Sequence, residues 1–317
     1  MNERLVGPSH SRGLILIATL LGAVFSCWAS YRMHILAIEE FALPILDAVI
    51  KLQGRAPDQY RVLPYLIISA IDSLAAMLPM NTHGLRVPIL VFDTLSLFLC
   101  ALLLRANFPR VVSQNFVWLL FLIYPFLMFD GYRPISAFIL LIAILCISTI
   151  IWARQNVSAI SPWPLVAILV LSFTRADIAM LYALVYLGAT KAPMALKITA
   201  LITPLVAQYL LTRVFFPEAE YFSAIVMLQE NLRGAFLLGS PLTYLAIALL
   251  VYYWQSIAAF TKQLFKELPI VGLALAGYLL SLLVIAMPNE YRLFLPLLPI
   301  VLWRIEESRS SPQRSST

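Results

Sequence analysis

The strongest constraint on this chain is the recurrence of apolar runs close to membrane-crossing length. They lie near residues 14–31, 85–104, 115–129, 134–152, 157–174, 176–190, 198–214, 236–255, 268–287 and 291–304. A hydrocarbon core about 30 Å thick takes roughly 20 helical residues to cross. Lipid offers no partner to bare backbone groups, so only helices or closed barrels span it. Runs of this length without strict alternation predict helices. Of the 317 residues, 62% are hydrophobic and 12% charged, and the mean hydropathy is +0.89. A soluble domain carries about twice that share of charge. The expected fold class is all-α: a polytopic integral membrane protein of about ten transmembrane helices.

Basic loops set the expected orientation. Arg4 and Arg12 precede the first run, which is expected to stay as an uncleaved helix, and mark a cytoplasmic start. Arg61 to Pro79 is a further apolar stretch, with Asp72 in its middle and prolines near both ends. Leaving it out of the spans puts Arg105, Arg110, Arg154, Lys191, Lys197, Lys262 and Lys266 on the cytoplasmic side, together with both termini. The inner side then holds 12 basic and 4 acidic residues, and the outer side 10 basic and 12 acidic. Were Arg61 to Pro79 to cross, later basic loops would face outward. It is expected to lie on the outer surface, within a first outer loop, 32–84, that contains interfacial helices. Ile38, Phe41, Ile45, Val49 and Leu52 recur at helical spacing in that loop, as an amphipathic juxtamembrane helix requires. Residues 1–304 form one transmembrane domain. The polar tail 305–317 is expected to be disordered and cytoplasmic.

Several familiar chemistries are missing from the pattern. Cys27, Cys100 and Cys146 sit inside apolar runs and are odd in number, which argues against a disulfide framework. His10, His34 and His83 lack ligand spacing, so no metal site is assigned. No Gly-rich loop opens a helix and no hydrolase triad is evident.

What remains is a one-sided set of charges. Asp58 with Arg61, Asp130 with Arg133, Arg175 with Asp177, and Glu290 with Arg292 all fall at expected outer ends of spans or beside them. The runs from Ala176 and from Tyr291 are short, so these ends are expected to stop below the membrane surface. A charge at that depth costs about 2.5 to 3.5 kcal/mol on insertion scales unless paired or facing water. Two arrangements satisfy that cost: acid–arginine pairs that close tight helical hairpins, and a water-filled cavity opening outward.

The layout resembles the GT-C-type membrane glycosyltransferases. The residues that carry the likeness are "DQYRVLPYL" leading to a surface helix, the basic "RANFPR", the outer turn "YPFLMFDGYR", and the later "FTRAD" and "NEYRLFLPLLP". The likeness implies sugar transfer from a polyprenyl-phosphate-linked donor on the outer face of the bacterial inner membrane. By the same likeness, an acid of the first outer loop is the catalytic base, with Glu39 and Glu40 the best-placed counterparts and Asp58 next. Asp130 corresponds loosely to a second-loop acid. Arg61, Arg133, Arg175 and Arg292, with Asp130, Asp177 and Glu290, are the expected substrate-binding residues, because guanidinium makes planar, charge-assisted bonds to phosphate. The first outer loop is shorter than in many members, and no large soluble C-terminal domain follows. The expected partners are the polyprenyl-linked sugar and membrane lipids, with no nucleic acid. No cofactor is named, and a divalent metal stays open. Two other readings stay open as well: a cell-envelope polysaccharide polymerase or ligase, and a transporter or flippase, although no repeated halves are evident.

Overall fold

The computed structural model describes residues 9–34, 43–50, 61–77, 86–127, 135–156, 161–217, 229, 241–285 and 291–310. These contain helices and no strand. In chain order the helices are α1 (Ser9–Met33), α2 (Leu43–Ile50), α3 (Val62–Ala76), α4 (Arg86–Asn107), α5 (Gln114–Leu127), α6 (Ser136–Gln155), α7 (Trp163–Ser172), α8 (Ala176–Ala189) and α9 (Met194–Tyr209). A π turn, Leu210–Phe215, continues α9. Then follow α10 (Pro241–Tyr252), α11 (Trp254–Glu267), α12 (Pro269–Ile285), a 3₁₀ segment (Tyr291–Leu297) and α13 (Leu298–Ser310).

Four of these segments are long and apolar enough to cross a membrane: Gly13–Met33, Arg86–Asn107, Ser136–Gln155 and Met194–Phe215. The other apolar helices are shorter, including α3, α5, α7, α8 and most of α12. Large apolar side chains stand exposed on many of them, among them Leu14, Leu21, Phe25, Leu122, Leu205 and Leu280. In water such a surface would associate, whereas lipid tails are as apolar as leucine.

At the centre is α6, which packs against α4, α7, α8, α13 and the 3₁₀ segment. It buries residues on every face, from Ser136 to Ile150, as a helix that is apolar all round should when neighbours surround it. On one flank α1 packs on α4 and α5; on the other, α8 packs on α7, α9 and α12.

Prolines inside these helices remove N–H donors, and hydroxyls from neighbours satisfy the carbonyls they free. Pro125 lies inside α5 and, lacking an N–H, cannot bond the carbonyl four residues back, which belongs to Phe121. Ser26 of α1 donates to that oxygen at 2.7 Å. In the 3₁₀ segment the rule is three residues back. Pro296 thus frees Leu293 O, which accepts from the Tyr278 hydroxyl at 3.0 Å. Pro296 O itself accepts from the Tyr182 hydroxyl at 2.7 Å. Both tyrosines are buried. They fix the last segment of the chain against α12 and α8.

Arg110, Arg154 and Glu267, from three of the segments expected to share one side, meet the last helix at one end of the bundle. Arg154 at the end of α6 bonds Glu307 at 2.9 Å. Arg304 bonds both Glu307 and Glu267, and the Arg110 amide donates to Glu306 at 3.1 Å. The Trp303 ring lies 5.4 Å from the Arg154 guanidinium carbon and 5.7 Å from that of Arg304. This network carries helix into the stretch expected to be tail, as far as Ser310.

Candidate functional site

At the other end of α6 three arginines meet. Arg61, Arg175 and Arg292 line one cleft with Ile135, Ser136, Ile139 and Leu293. Each arrives by a different local device.

Arg175 sits in the tight turn between α7 and α8. The Thr174 and Arg175 amides both donate to Leu171 O, at 3.0 and 2.6 Å, which ends α7. Arg175 is extended, with φ −159° and ψ 100°, and caps α8. Its guanidinium is clamped by Asp177, with Nε to Oδ1 at 3.0 Å and Nη2 to Oδ2 at 2.5 Å. Asp177 stands in the first turn of α8, where a carboxylate also complements the helix dipole.

Arg61 precedes α3. The Leu63 amide donates to Phe173 O at 3.2 Å, so the first turn of α3 is tied to the α7–α8 turn. Val62 and Phe173 further pack on Leu211 and Phe216, at the π turn after α9. Arg292 is the second residue of the 3₁₀ segment and is 9% exposed. Tyr278, through its bond to Leu293 O, holds the backbone beside it.

Three guanidiniums and three helix N-termini converge on the cleft. Arg61, Ile135 and Arg175 are the N-caps of α3, α6 and α8, and none makes a side-chain capping bond. A helix N-terminus carries partial positive charge and prefers an anion by about 0.3 to 1 kcal/mol at exposed sites. Two of these three caps instead hold guanidiniums. Asp177 is an acid that bonds Arg175 there. The cleft volume is about 10 Å³, the size of one water probe. A larger anion therefore enters only if an arginine swings aside.

Of the residues expected at the site, the structure unites Arg61, Arg175, Asp177 and Arg292. Glu39, Glu40, Asp58, Asp130, Arg133 and Glu290 lie outside the described residues. Asp177 has both oxygens engaged by Arg175, which suits it to orienting that guanidinium and not to accepting a proton.

Three polar residues were not singled out from the sequence. Ser136, buried at 5% exposure, opens α6 at the cleft; nothing in "PISAF" distinguishes it before folding. Tyr278 lies in an otherwise apolar stretch, and its role depends on a carbonyl freed 15 residues away. Asp93, fully buried in α4, accepts from the Tyr124 hydroxyl at 2.7 Å. That one had a visible signal, a lone carboxylate inside "PILVFDTLSLF". No metal-holding cluster of His, Cys, Asp or Glu exists among the described residues, and the three cysteines are buried and free. No protein-family profile, curated protein or solved structure matches the chain.

Proposed function

We propose that this protein is a membrane glycosyltransferase-like enzyme whose three-arginine cleft binds the phosphate of a polyprenyl-phosphate-linked sugar. The observation that carries this reading is the convergence of Arg61, Arg175 and Arg292 beside the N-termini of α3, α6 and α8. Guanidinium forks and helix N-termini both suit phosphate oxygens. Their assembly in a chain so apolar favours a phosphate borne by a lipid.

In this reading Arg292, enclosed and backed by the Tyr278–Leu293 bond, is the fixed part of the phosphate site. Asp177 holds the Nε–Nη2 edge of Arg175 and fixes the orientation of its guanidinium. The transferring sugar would leave its phosphate as an acceptor hydroxyl attacks, and a carboxylate must take the hydroxyl proton. Glu39 and Glu40 remain the proposed bases, with Asp58 and Asp130 behind them.

The test is purification in lipid, followed by mass spectrometry of copurifying lipid-linked sugars and transfer assays on variants. Arg292→Lys keeps the charge but loses the fork, and should reduce transfer by about tenfold or more at unchanged abundance. Asp177→Asn should lower affinity for the donor through Arg175. Glu39→Gln or Glu40→Gln should cost about a hundredfold in rate with donor binding retained. A purified protein without lipid-linked sugar, whose function depends on a free solute or ion gradient, would replace this reading with transport.

A further inference from the structure

Helix α11 connects two apolar helices at the end of the bundle opposite the arginine cleft. Its last residue, Glu267, bonds Arg304, and Pro269 opens α12 directly afterwards. At about 100° per residue the side chains of α11 sort into strips along the helix. Phe260, Leu264 and Glu267 form the strip that faces the protein: Phe260 packs on the core, Leu264 is buried and Glu267 meets Arg304. Beside it Trp254, Ala258, Thr261 and Phe265 make a mainly apolar strip that stays exposed. Lys262 and Lys266 come next, also exposed, and Ser256, Ala259 and Gln263 complete the circle.

Both ends of the exposed strip are defined. At one end the Phe265 ring lies against α12 at Gly272, where a Cβ would stand 3.1 Å from it. At the other, Tyr252, Tyr253 and Trp254 stand exposed in succession. Tyrosine and tryptophan are the residues that gather where hydrocarbon meets water.

The lysines differ from the arginines at the same end of the bundle. Arg154 and Arg304 are neutralised by Glu307 and Glu267. Among the described residues, neither the Lys262 nor the Lys266 ammonium makes a hydrogen bond or ion pair.

We infer that α11 lies in the plane of the membrane surface and seats on anionic phospholipid, with its exposed apolar strip among acyl chains and Lys262 and Lys266 at the headgroup phosphates. This does not depend on what the arginine cleft binds. A helix carrying Gln255, Lys262, Gln263 and Lys266 is ill suited to cross hydrocarbon, whereas the order apolar, basic, polar around its circumference suits the boundary. Apolarity alone would accept any lipid. Charge complementarity makes the choice, because two ammoniums without a protein partner line the rim of the strip and favour a negative surface.

The test uses the whole protein in liposomes. Cys27, Cys100 and Cys146 are buried, so a bimane maleimide attaches to Thr261→Cys, in the apolar strip, or to Ala259→Cys, on the far side of the helix. Lipid brominated along its acyl chains quenches a bimane that it touches. The probe at Thr261→Cys should be quenched and the probe at Ala259→Cys should not. Quenching of the first by brominated phosphatidylglycerol and by brominated phosphatidylcholine, at equal mole fraction, gives the local preference for a negative headgroup. Lys262→Gln/Lys266→Gln should lower that preference about fivefold or more, Lys262→Arg/Lys266→Arg should keep it, and added salt should weaken it. Melting temperatures confirm the fold of each variant. Quenching at neither position would place α11 in water and leave its strip to a protein partner; equal quenching at both would place it inside the hydrocarbon. Either result overturns the inference. Quenching at Thr261→Cys alone, without a preference for phosphatidylglycerol or with one that the glutamine variant leaves unchanged, overturns the anionic seat.

Discussion

The Tyr278 hydroxyl donates to the Leu293 carbonyl at 3.0 Å, joining the middle of α12 to the segment that carries Arg292. Pro296 removes the N–H that would otherwise serve this oxygen. Phenylalanine at 278 keeps the packing and leaves the carbonyl without that donor. Tyr278→Phe should cost about 1 kcal/mol, since hydrogen bonds between membrane helices average somewhat below that and an orphaned carbonyl costs more. Thermal unfolding in detergent and amide exchange over 291–297 would measure it. An unchanged melting temperature with unchanged exchange would show that this bond does not hold the segment.

A second bond permits a cleaner cycle. Ser26 serves the Phe121 carbonyl freed by Pro125. Ser26→Ala should destabilise the α1–α5 contact by about 0.5 to 1.5 kcal/mol. In a Pro125→Ala background the helix can supply its own N–H, and the same substitution should cost close to nothing. Equal losses in both backgrounds would mean that Ser26 acts through packing.

The two glycines at the α8–α12 contact should behave in opposite ways. Gly188→Leu drives side-chain atoms into Ile270 and should abolish accumulation or cost about 1 to 3 kcal/mol as the helices separate. Gly277→Leu, where a built Cβ meets nothing within 4 Å, should accumulate normally. Expression and melting of the pair, read side by side, check how the two helices pack.

Acidification should loosen the other end of the molecule. The Glu267 carboxyl is held below the usual range by the hydrogen bond from Gln263 and then by Arg304. A carboxylate depressed on folding contributes stability above its unfolded pKa, about 4.3, and loses it as pH falls through the folded value. Amide exchange in α13 should therefore be slow near neutrality and should quicken below about pH 4. Glu267→Gln should show the quicker exchange already at neutral pH. Because the side chain is 45% exposed, added salt should shrink the difference.

The all-helical architecture was legible in the sequence, because long apolar runs in this composition allow few other structures. So was the grouping of Arg110, Arg154, Glu267 and the C-terminal acids at one end, since basic loops alternate with apolar runs along the chain. Arg175 and Asp177 were visible as a pair two residues apart. Packing alone could bring Arg61, Arg175 and Arg292 together. They are separated by more than a hundred residues at each step, and their meeting depends on a backbone bond from Leu63 to Phe173 and on a 3₁₀ segment held by two tyrosines. How α8 and α12 pack was hidden for the same reason. A glycine in an apolar helix looks alike in sequence whether its missing Cβ admits a neighbouring helix, as at Gly188, or leaves space, as at Gly277. Local pattern determines which segments become helices, because the hydrogen bonds of a helix are internal to it. Which helix ends share a cleft is decided by contacts between distant residues, and only the folded chain contains those.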